Sequence, residues 1–434
     1  MVMEHQLDDA VDRNFDGQLE WLRQLVELPS NTDDRENVER AAMFVDRTME
    51  DMGFDIETNC ASAGGGLRAD TRIYHLNLPQ QETWGEEERA LALVGHVDTV
   101  YPTHWDWNQD VDDGYIRGPG VADMKGGLSV IVFALKALQA TNQEVFESLK
   151  VRFFMNTDEE KGSGTSKHVF QDFAPQMSKA LVFEPGRTEP ERDKIVTERK
   201  GSAPFDISAT VTGFPQHAGG RHEEGANALH ALMLLLNKIE SMTNYDSGLT
   251  FNVVIDPELD VDDDSKRNST MKRNVLPGYA RFQVDCRYQN KGSVDEAIES
   301  LREDIANWNF PGLSEMNPRL IERVKRAVLV IHFESERDCG RPPMPSAPNI
   351  ELCERYSRHA DACGLGSGPA GIQGGVSDAN NIADNGVPVI DGLGPYGKNV
   401  HSLQDHDEWF DPESLRKKTK ALARFLLEET TLTN

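Results

Sequence analysis

Leu91-Ala92-Leu93-Val94-Gly95-His96-Val97-Asp98 decides the reading of this chain. Four consecutive apolar residues suit a strand buried on both faces, the usual state of a parallel sheet. The Gly-His-Val-Asp that follows sets an imidazole and a carboxylate two residues apart at the strand's exit, where α/β enzymes keep their chemistry. Further acidic segments repeat the arrangement. They are Gly120-Val121-Ala122-Asp123 with Met124-Lys125-Gly126-Gly127, Asn156-Thr157-Asp158-Glu159-Glu160 after the run Val151 to Met155, and Glu184-Pro185 after Ala180 to Phe183. A second histidine, His401, follows near the C-terminus.

Helical patterns alternate with these strands. Leu19, Leu22 and Val26, stopped by Pro29, give an amphipathic helix, and Val38 to Met52 gives another with Ala42, Val45 and Met49 on one face. Leu128 to Leu138 is apolar almost all round, as expected of a helix packed inside an α/β layer. Near Gly201 the pattern changes: Phe205, Ile207, Ala209 and Val211 alternate with Asp206, Ser208, Thr210 and Thr212, the period of a strand with one wet face. A helix from Ala226 to Ile239, a strand around Phe251 to Ile255, a strand through Ala280 and Cys286, a helix from Val294 to Trp308 and an apolar run Val328 to Ile331 complete the order βαββαβ. After Gly340-Arg341-Pro342-Pro343 the first style resumes, with a helix around Ile350 to Ala362, a strand at Val387 to Ile390 and a closing helix near Leu415 to Leu427. The expected fold class is α/β, a mostly parallel mixed sheet with helices on both faces, plus an inserted α+β ferredoxin-like domain. Residues 1–200 and 341–434 form the first domain and residues 201–340 the insertion.

At 434 residues the chain exceeds what one core usually supports, which agrees with two domains. Its 73 acidic against 45 basic residues leave a charge of −28, which opposes the phosphate attraction that nucleic acids and anionic membranes require. Neither is expected as a partner. No run approaches the about 18 apolar residues of a membrane span, and the N-terminus lacks the basic and apolar regions of a secretory signal, so a cytoplasmic location is expected. Cys60, Cys286, Cys339, Cys353 and Cys363 contain no Cys-x-x-Cys pair and read as reduced thiols. Gly366-Ser367-Gly368-Pro369-Ala370-Gly371 has the letters of a dinucleotide loop but Pro369 and no strand before it. Asp260, Asp262 and Asp264, in the acidic stretch Asp256 to Asp264, lack the glycine and closing glutamate of a calcium loop.

Two divalent ions need about five protein ligands when one carboxylate bridges them. His96 and Glu184 suit one ion, Glu160 and His401 the other, and Asp123 the bridge. Asp98 is placed to hold the second nitrogen of His96 and fix its tautomer. Glu159 is then left to act as general base on a water between the ions, since adjacent side chains in extended structure point apart. These donors suit two hard or borderline divalent ions, zinc, cobalt or manganese alike.

These motifs resemble the di-zinc metallopeptidase family that includes carboxypeptidase G (glutamate carboxypeptidase), acetylornithine deacetylase, succinyl-diaminopimelate desuccinylase and aminoacylase. The resemblance rests on Gly95-His96-Val97-Asp98-Thr99-Val100, on Gly118 to Gly127 and on Asp158-Glu159-Glu160-Lys161-Gly162-Ser163, in order, and runs end to end. It implies the same ligand set, a non-proline cis peptide after Asp123, and an inserted domain that serves as a lid and dimerises the protein. The lid histidine falls at His217 in Gly213-Phe214-Pro215-Gln216-His217-Ala218-Gly219, where Gln216 replaces the family's usual Ser or Ala. In a homodimer it would stabilise the oxyanion in the partner's site. Asn274, Arg287 and Arg341 match lid positions that hold substrate, and Gly374 and Gly375, in Gly374-Gly375-Val376-Ser377-Asp378, match a loop beside the substrate carboxylate. The implied function is hydrolysis of an amide or peptide bond next to a free carboxylate, of the glutamate-carboxypeptidase type. An N-acyl amino acid deacylase or a dipeptidase would use the same apparatus, and a non-catalytic metal-binding relative is the remaining reading.

Overall fold

The decisive run forms the strand Ala90–His96, buried along its whole length. The computed structural model describes residues 2–59, 68–78, 89–102, 108–109, 114–187, 190–211, 216–220, 222–255, 273–332, 340–402 and 407–432. Ala90–His96 lies between Val151–Asn156 and Met177–Val182, parallel to both, and Val389–Ile390 extends the sheet in the same sense. Thr71–Leu76 and then Asp55–Asn59 complete the other edge through antiparallel pairs. The result is a mostly parallel mixed sheet.

Alternation of side chains along the central strand divides two cores. Leu91 and Leu93 enter a core shared with Leu22, Val45, Leu128, Ile131, Leu415 and Phe425, all from helices. Ala92 and Val94 enter a second, with Phe170 from the helix Ser166–Phe173 and Ile382 from Asp378–Asp384. Helices therefore cover both faces. Each fully buried Leu or Phe contributes roughly 1.5–3 kcal/mol by leaving water. The all-round apolar helix spans Lys125–Thr141, and the closing helix spans Pro412–Leu432. Two features were not expected: an N-terminal helix Val2–Arg13, which buries only Leu7, Ala10 and Val11, and the antiparallel strands Asp55–Asn59 and Thr71–Leu76, the first of them at the sheet's edge.

The chain divides into one unit of Met1–Arg199 with Met344–Asn434 and a second of Lys200–Pro343. In the second, Phe205–Val211, Ala228–Ser241, Thr250–Ile255, Tyr279–Tyr288, Lys291–Asn307 and Ala327–His332 follow in the order βαββαβ. Their antiparallel sheet runs Thr250–Ile255, Tyr279–Tyr288, Phe205–Val211, Ala327–His332, the ferredoxin-like arrangement. One detail differs from the sequence reading. Asp206 and Ser208 are buried rather than wet, because their strand is interior: Arg281 pairs with Asp206, and Ser208 Oγ lies 2.7 Å from His332 Nε2.

Among the described residues no helix is long and apolar enough to cross a membrane. Cys286, Cys353 and Cys363 are free thiols. Cys60, Cys339, Gly213 to Pro215 and the stretch Asp256 to Asp264 lie outside the described residues.

Candidate metal centre

The strand order fixes which side chains can meet. His96 ends the central strand, the Glu159–Lys161 turn follows the neighbour on one side, and Glu184 follows the neighbour on the other. Asp123 comes in from the loop before the Lys125–Thr141 helix, and the peptide that follows it, Asp123–Met124, is cis. A glycine opens that helix because Phe183 leaves no room: a Cβ on Gly127 would stand 2.1 Å from the Phe183 carbonyl oxygen. His401 arrives from the segment between Gly397–Lys398 and Trp409–Phe410, two strands paired with each other and, through Trp409–Phe410, with Ile116–Arg117. Its backbone is left-handed, φ +63°, a region uncommon outside glycine but one that histidine enters more readily than most.

Two groups of donors result, His96 with Asp123 and Glu184, and Asp123 with Glu160 and His401, each with its ligand atoms within 4.8 Å of one another. His96 Nε2 is 3.3 Å from Asp123 Oδ1 and 3.8 Å from Glu184 Oε1. His401 Nε2 is 3.2 Å from Asp123 Oδ2 and 3.0 Å from Glu160 Oε2. The two Asp123 oxygens thus face different groups. Donors bound to one tetrahedral ion at 2.0–2.1 Å stand about 3.3 Å apart, so these spacings fit a cation in each group. A second observation agrees. His96 Nε2 and Asp123 Oδ1 are buried with no hydrogen-bond partner, a deficit that a shared cation removes.

The charges respond to this crowding. Burial, and then Asp123, push Glu160 up to about 8 against the pull of His401. Burial also lifts Glu184 well above the carboxylate range although His96 opposes it. Hydrogen bonds to Asp123 and Glu160 raise His401 to about 11. Burial works against charge on His96, but Asp123, Asp98 and Glu184 together raise it well above its ordinary value. Three carboxylates and two imidazoles, buried except for the exposed His401 and the partly buried Glu160, are the composition of a borderline-metal site.

Asp98 is fully buried. His96 Nδ1 lies 3.0 Å from the Asp98 carbonyl oxygen and 3.4 Å from its Oδ1, so the backbone is the nearer partner. The carboxylate also accepts the Glu159 and Glu160 N–H groups, each at 3.2 Å, and the Thr32 hydroxyl at 2.8 Å. Glu159 and Glu160 do not lie in extended chain. They occupy one 3₁₀ turn, in which successive side chains diverge by about 120°.

A model of peptidase family M20/M25/M40 matches residues 92–428. The chain belongs to this family. It is 28% identical over 421 residues to carboxypeptidase G2 of Pseudomonas sp. (strain RS-16), covering 94% of this chain and 88% of that one. It is 26% identical over 357 residues to succinyl-diaminopimelate desuccinylase of Xanthomonas campestris pv. campestris (strain 8004), covering 80% and 86%. The crystal structure of aminopeptidase PepT from Bacillus cereus ATCC 10987 has the same fold, with TM-score 0.70 at 18% identity over 96% and 99% of the two chains. As a member of the M20/M25/M40 family, the chain is a metal-dependent hydrolase.

The remaining candidates of this family member fall on both units. In the second, His217 is exposed and sits opposite Val275, and Ala218 N–H donates to the Asn274 carbonyl at 2.8 Å. His217 Nδ1 accepts the Gly219 and Gly220 N–H groups at 3.1 Å each. That makes Nδ1 the acceptor, so Nε2 carries the proton in the neutral ring. Arg287 and Arg341 each stand opposite Ser202, so their side chains leave the sheet on the same face, Arg341 buried and Arg287 partly exposed. In the first unit Gly374 and Gly375 are exposed. Their loop is tied to the cluster through Asp378, whose carboxylate accepts from Asn156 and Ser163 at the end of the strand that carries Glu159.

Glu408 escaped the sequence reading. It is fully buried, accepts the Gly120 N–H at 3.0 Å on one oxygen, and takes the Ala122 and Asp123 N–H groups at 2.8 and 2.9 Å on the other. Burial, and then Asp123, raise it to about 7. Its role is to hold the loop that delivers Asp123.

Proposed function

We propose that this hydrolase cleaves an amide or peptide bond next to a free carboxylate, as a glutamate-type carboxypeptidase. The observation that carries the reading is the pair of donor groups sharing Asp123. His96 and Glu184 would hold one ion, Glu160 and His401 the other, with Asp123 between them and zinc the favoured metal. Bound ions supply Lewis acidity toward the scissile carbonyl and toward an attacking water. Glu159 takes the proton from that water and delivers it to the leaving nitrogen. Asp98 keeps His96 and the Glu159–Glu160 turn in register.

His217, with a proton on Nε2, is suited to stabilise the oxyanion in the site of a partner subunit. A homodimer is supported by exposed apolar groups on the second unit: Leu229 and Met233 on one helix face, and Val328 and Val330 on the edge strand Ala327–His332. Arg287 and Arg341 are chemically suited to a substrate carboxylate. The likeness to carboxypeptidase G2 favours the carboxypeptidase reading, and the likeness to succinyl-diaminopimelate desuccinylase supports an N-acyl amino acid deacylase as the second one. The test is turnover by the zinc-loaded protein of dipeptides and N-acyl amino acids beside their C-terminal carboxamides. Strong preference for the free acids is expected; equal turnover of the carboxamides would remove the reading.

A further inference from the structure

Arg187 lies three residues beyond Glu184, so its Cα is within roughly 10 Å of that ligand's Cα. Its guanidinium is half-buried, and its Nε is buried without a hydrogen-bond partner. Among the described residues it has no ion-pair partner either. That is unexpected in a chain with 28 surplus negative charges, because a desolvated guanidinium without an acid is unfavourable.

Among the described residues, the acids that act on it, Asp391 and Glu191, have other partners. Asp391 accepts Nε and Nη2 of Arg199 at 2.8 and 2.7 Å, the Ser377 hydroxyl at 2.6 Å and the Gly392 N–H. Glu191 accepts the Gly371 N–H at 2.6 Å. Arg199 reaches on to the Gly375 carbonyl at 2.9 Å, so the exposed glycine loop is braced by one arginine while the other is left over. Burial, and then Arg199, depress the Arg187 pKa, with Glu191 and Asp391 opposing. Both acids therefore act on it from a distance without pairing.

We propose that Arg187 is a substrate-binding residue that takes a carboxylate of the amino-acid half of the substrate. This rests on the amide-hydrolase reading and adds to it an anion contact on the unit that carries the metal donors, independent of Arg287 and Arg341. A carboxylate matches the guanidinium fork and supplies the charge that the described residues withhold. The α-carboxylate and a side-chain carboxylate have the same chemistry, and the assay separates them.

Arg187→Met and Arg187→Lys are compared with wild type on N-acetylglutamate and on its α- and γ-monocarboxamides. Arg187→Met is expected to lose about 10- to 100-fold in kcat/KM, mainly through KM, on the diacid and on the monoamide that retains the recognised carboxylate. The other monoamide should change less than about twofold, and Arg187→Lys should recover part of the loss. Equal effects on all three substrates, or none, would overturn the assignment. Calorimetric titration of glutamate into the zinc-loaded proteins keeps the two claims apart. If wild type hydrolyses no amide, the hydrolase reading fails, yet glutamate binding weakened about tenfold or more by Arg187→Met still supports the anion contact. Binding that ignores the substitution, or no binding, overturns it.

Discussion

The carboxylate of Asp98 accepts the backbone N–H of Glu159 at 3.2 Å. Through that bond a residue at the end of the central strand sets the position of the proposed base at the end of the next, while its other contacts serve His96 and Glu160. An Asp98→Asn side chain has one acceptor oxygen where the structure uses two. Metal affinity should fall about 10- to 100-fold, the usual effect of losing a residue that orients a ligand, read as zinc retained against a graded chelator. Unchanged retention would show that the His96 imidazole is held by the Asp98 carbonyl alone.

Glu408 makes a graded prediction. Glu408→Gln keeps an oxygen for the Ala122 and Asp123 N–H groups, whereas Glu408→Ala strands three buried donors, each worth about 1–3 kcal/mol when unsatisfied. The alanine variant should melt several degrees lower and lose zinc; the glutamine variant should retain most of both. Equal behaviour of the two would mean that the loop holds Asp123 without help.

Metal uptake should release protons. Burial and Asp123 raise Glu160, and Asp123 and Glu160 raise His401, so this pair holds a proton at pH 7 before a cation binds, and a ligand must shed its proton to coordinate. Raised donor pKa values therefore make affinity rise with pH, by about tenfold per unit for each competing proton. Calorimetry at pH 7 in buffers of different ionisation enthalpy should report release of at least one proton. No release would contradict the coupling.

If His217 serves the partner's site, two inactive variants should rescue each other. A mixed dimer of His217→Ala with Glu159→Gln contains one site with an intact base and an intact histidine from the other chain. Activity should reappear after the two are co-expressed or exchanged, toward roughly half of one site-pair's capacity per mixed dimer. Mixtures that stay inert while dimers form would place His217 in its own chain's site or in none.

Sequence alone carried the sheet and the candidate donors because buried parallel strands are apolar runs that break abruptly at polar residues. His96, Glu160 and Glu184 stand at such breaks, and the strand order then brings them together. Glu408 gave no comparable signal. It follows Asp405-His406-Asp407, and local composition cannot tell a carboxylate that caps a buried loop from neighbours that face water. Only the adjacent Trp409-Phe410 strand hints that the chain turns inward there. Asp206 and Ser208 misled in the other direction, since alternation reports which residues are polar and an interior strand can bury them beside Arg281 and His332. The helix Val2–Arg13 was invisible for want of apolar density, and Arg187 was invisible because an unpaired cation is a property of its surroundings.

The most direct test of the central claim is the zinc content and turnover of Glu159→Gln, measured on the same preparation. The account predicts two zinc ions per chain, as in wild type, with turnover of the best N-acyl amino acid substrate reduced by about 100-fold or more. A variant that holds both ions and turns over at close to the wild-type rate would contradict it.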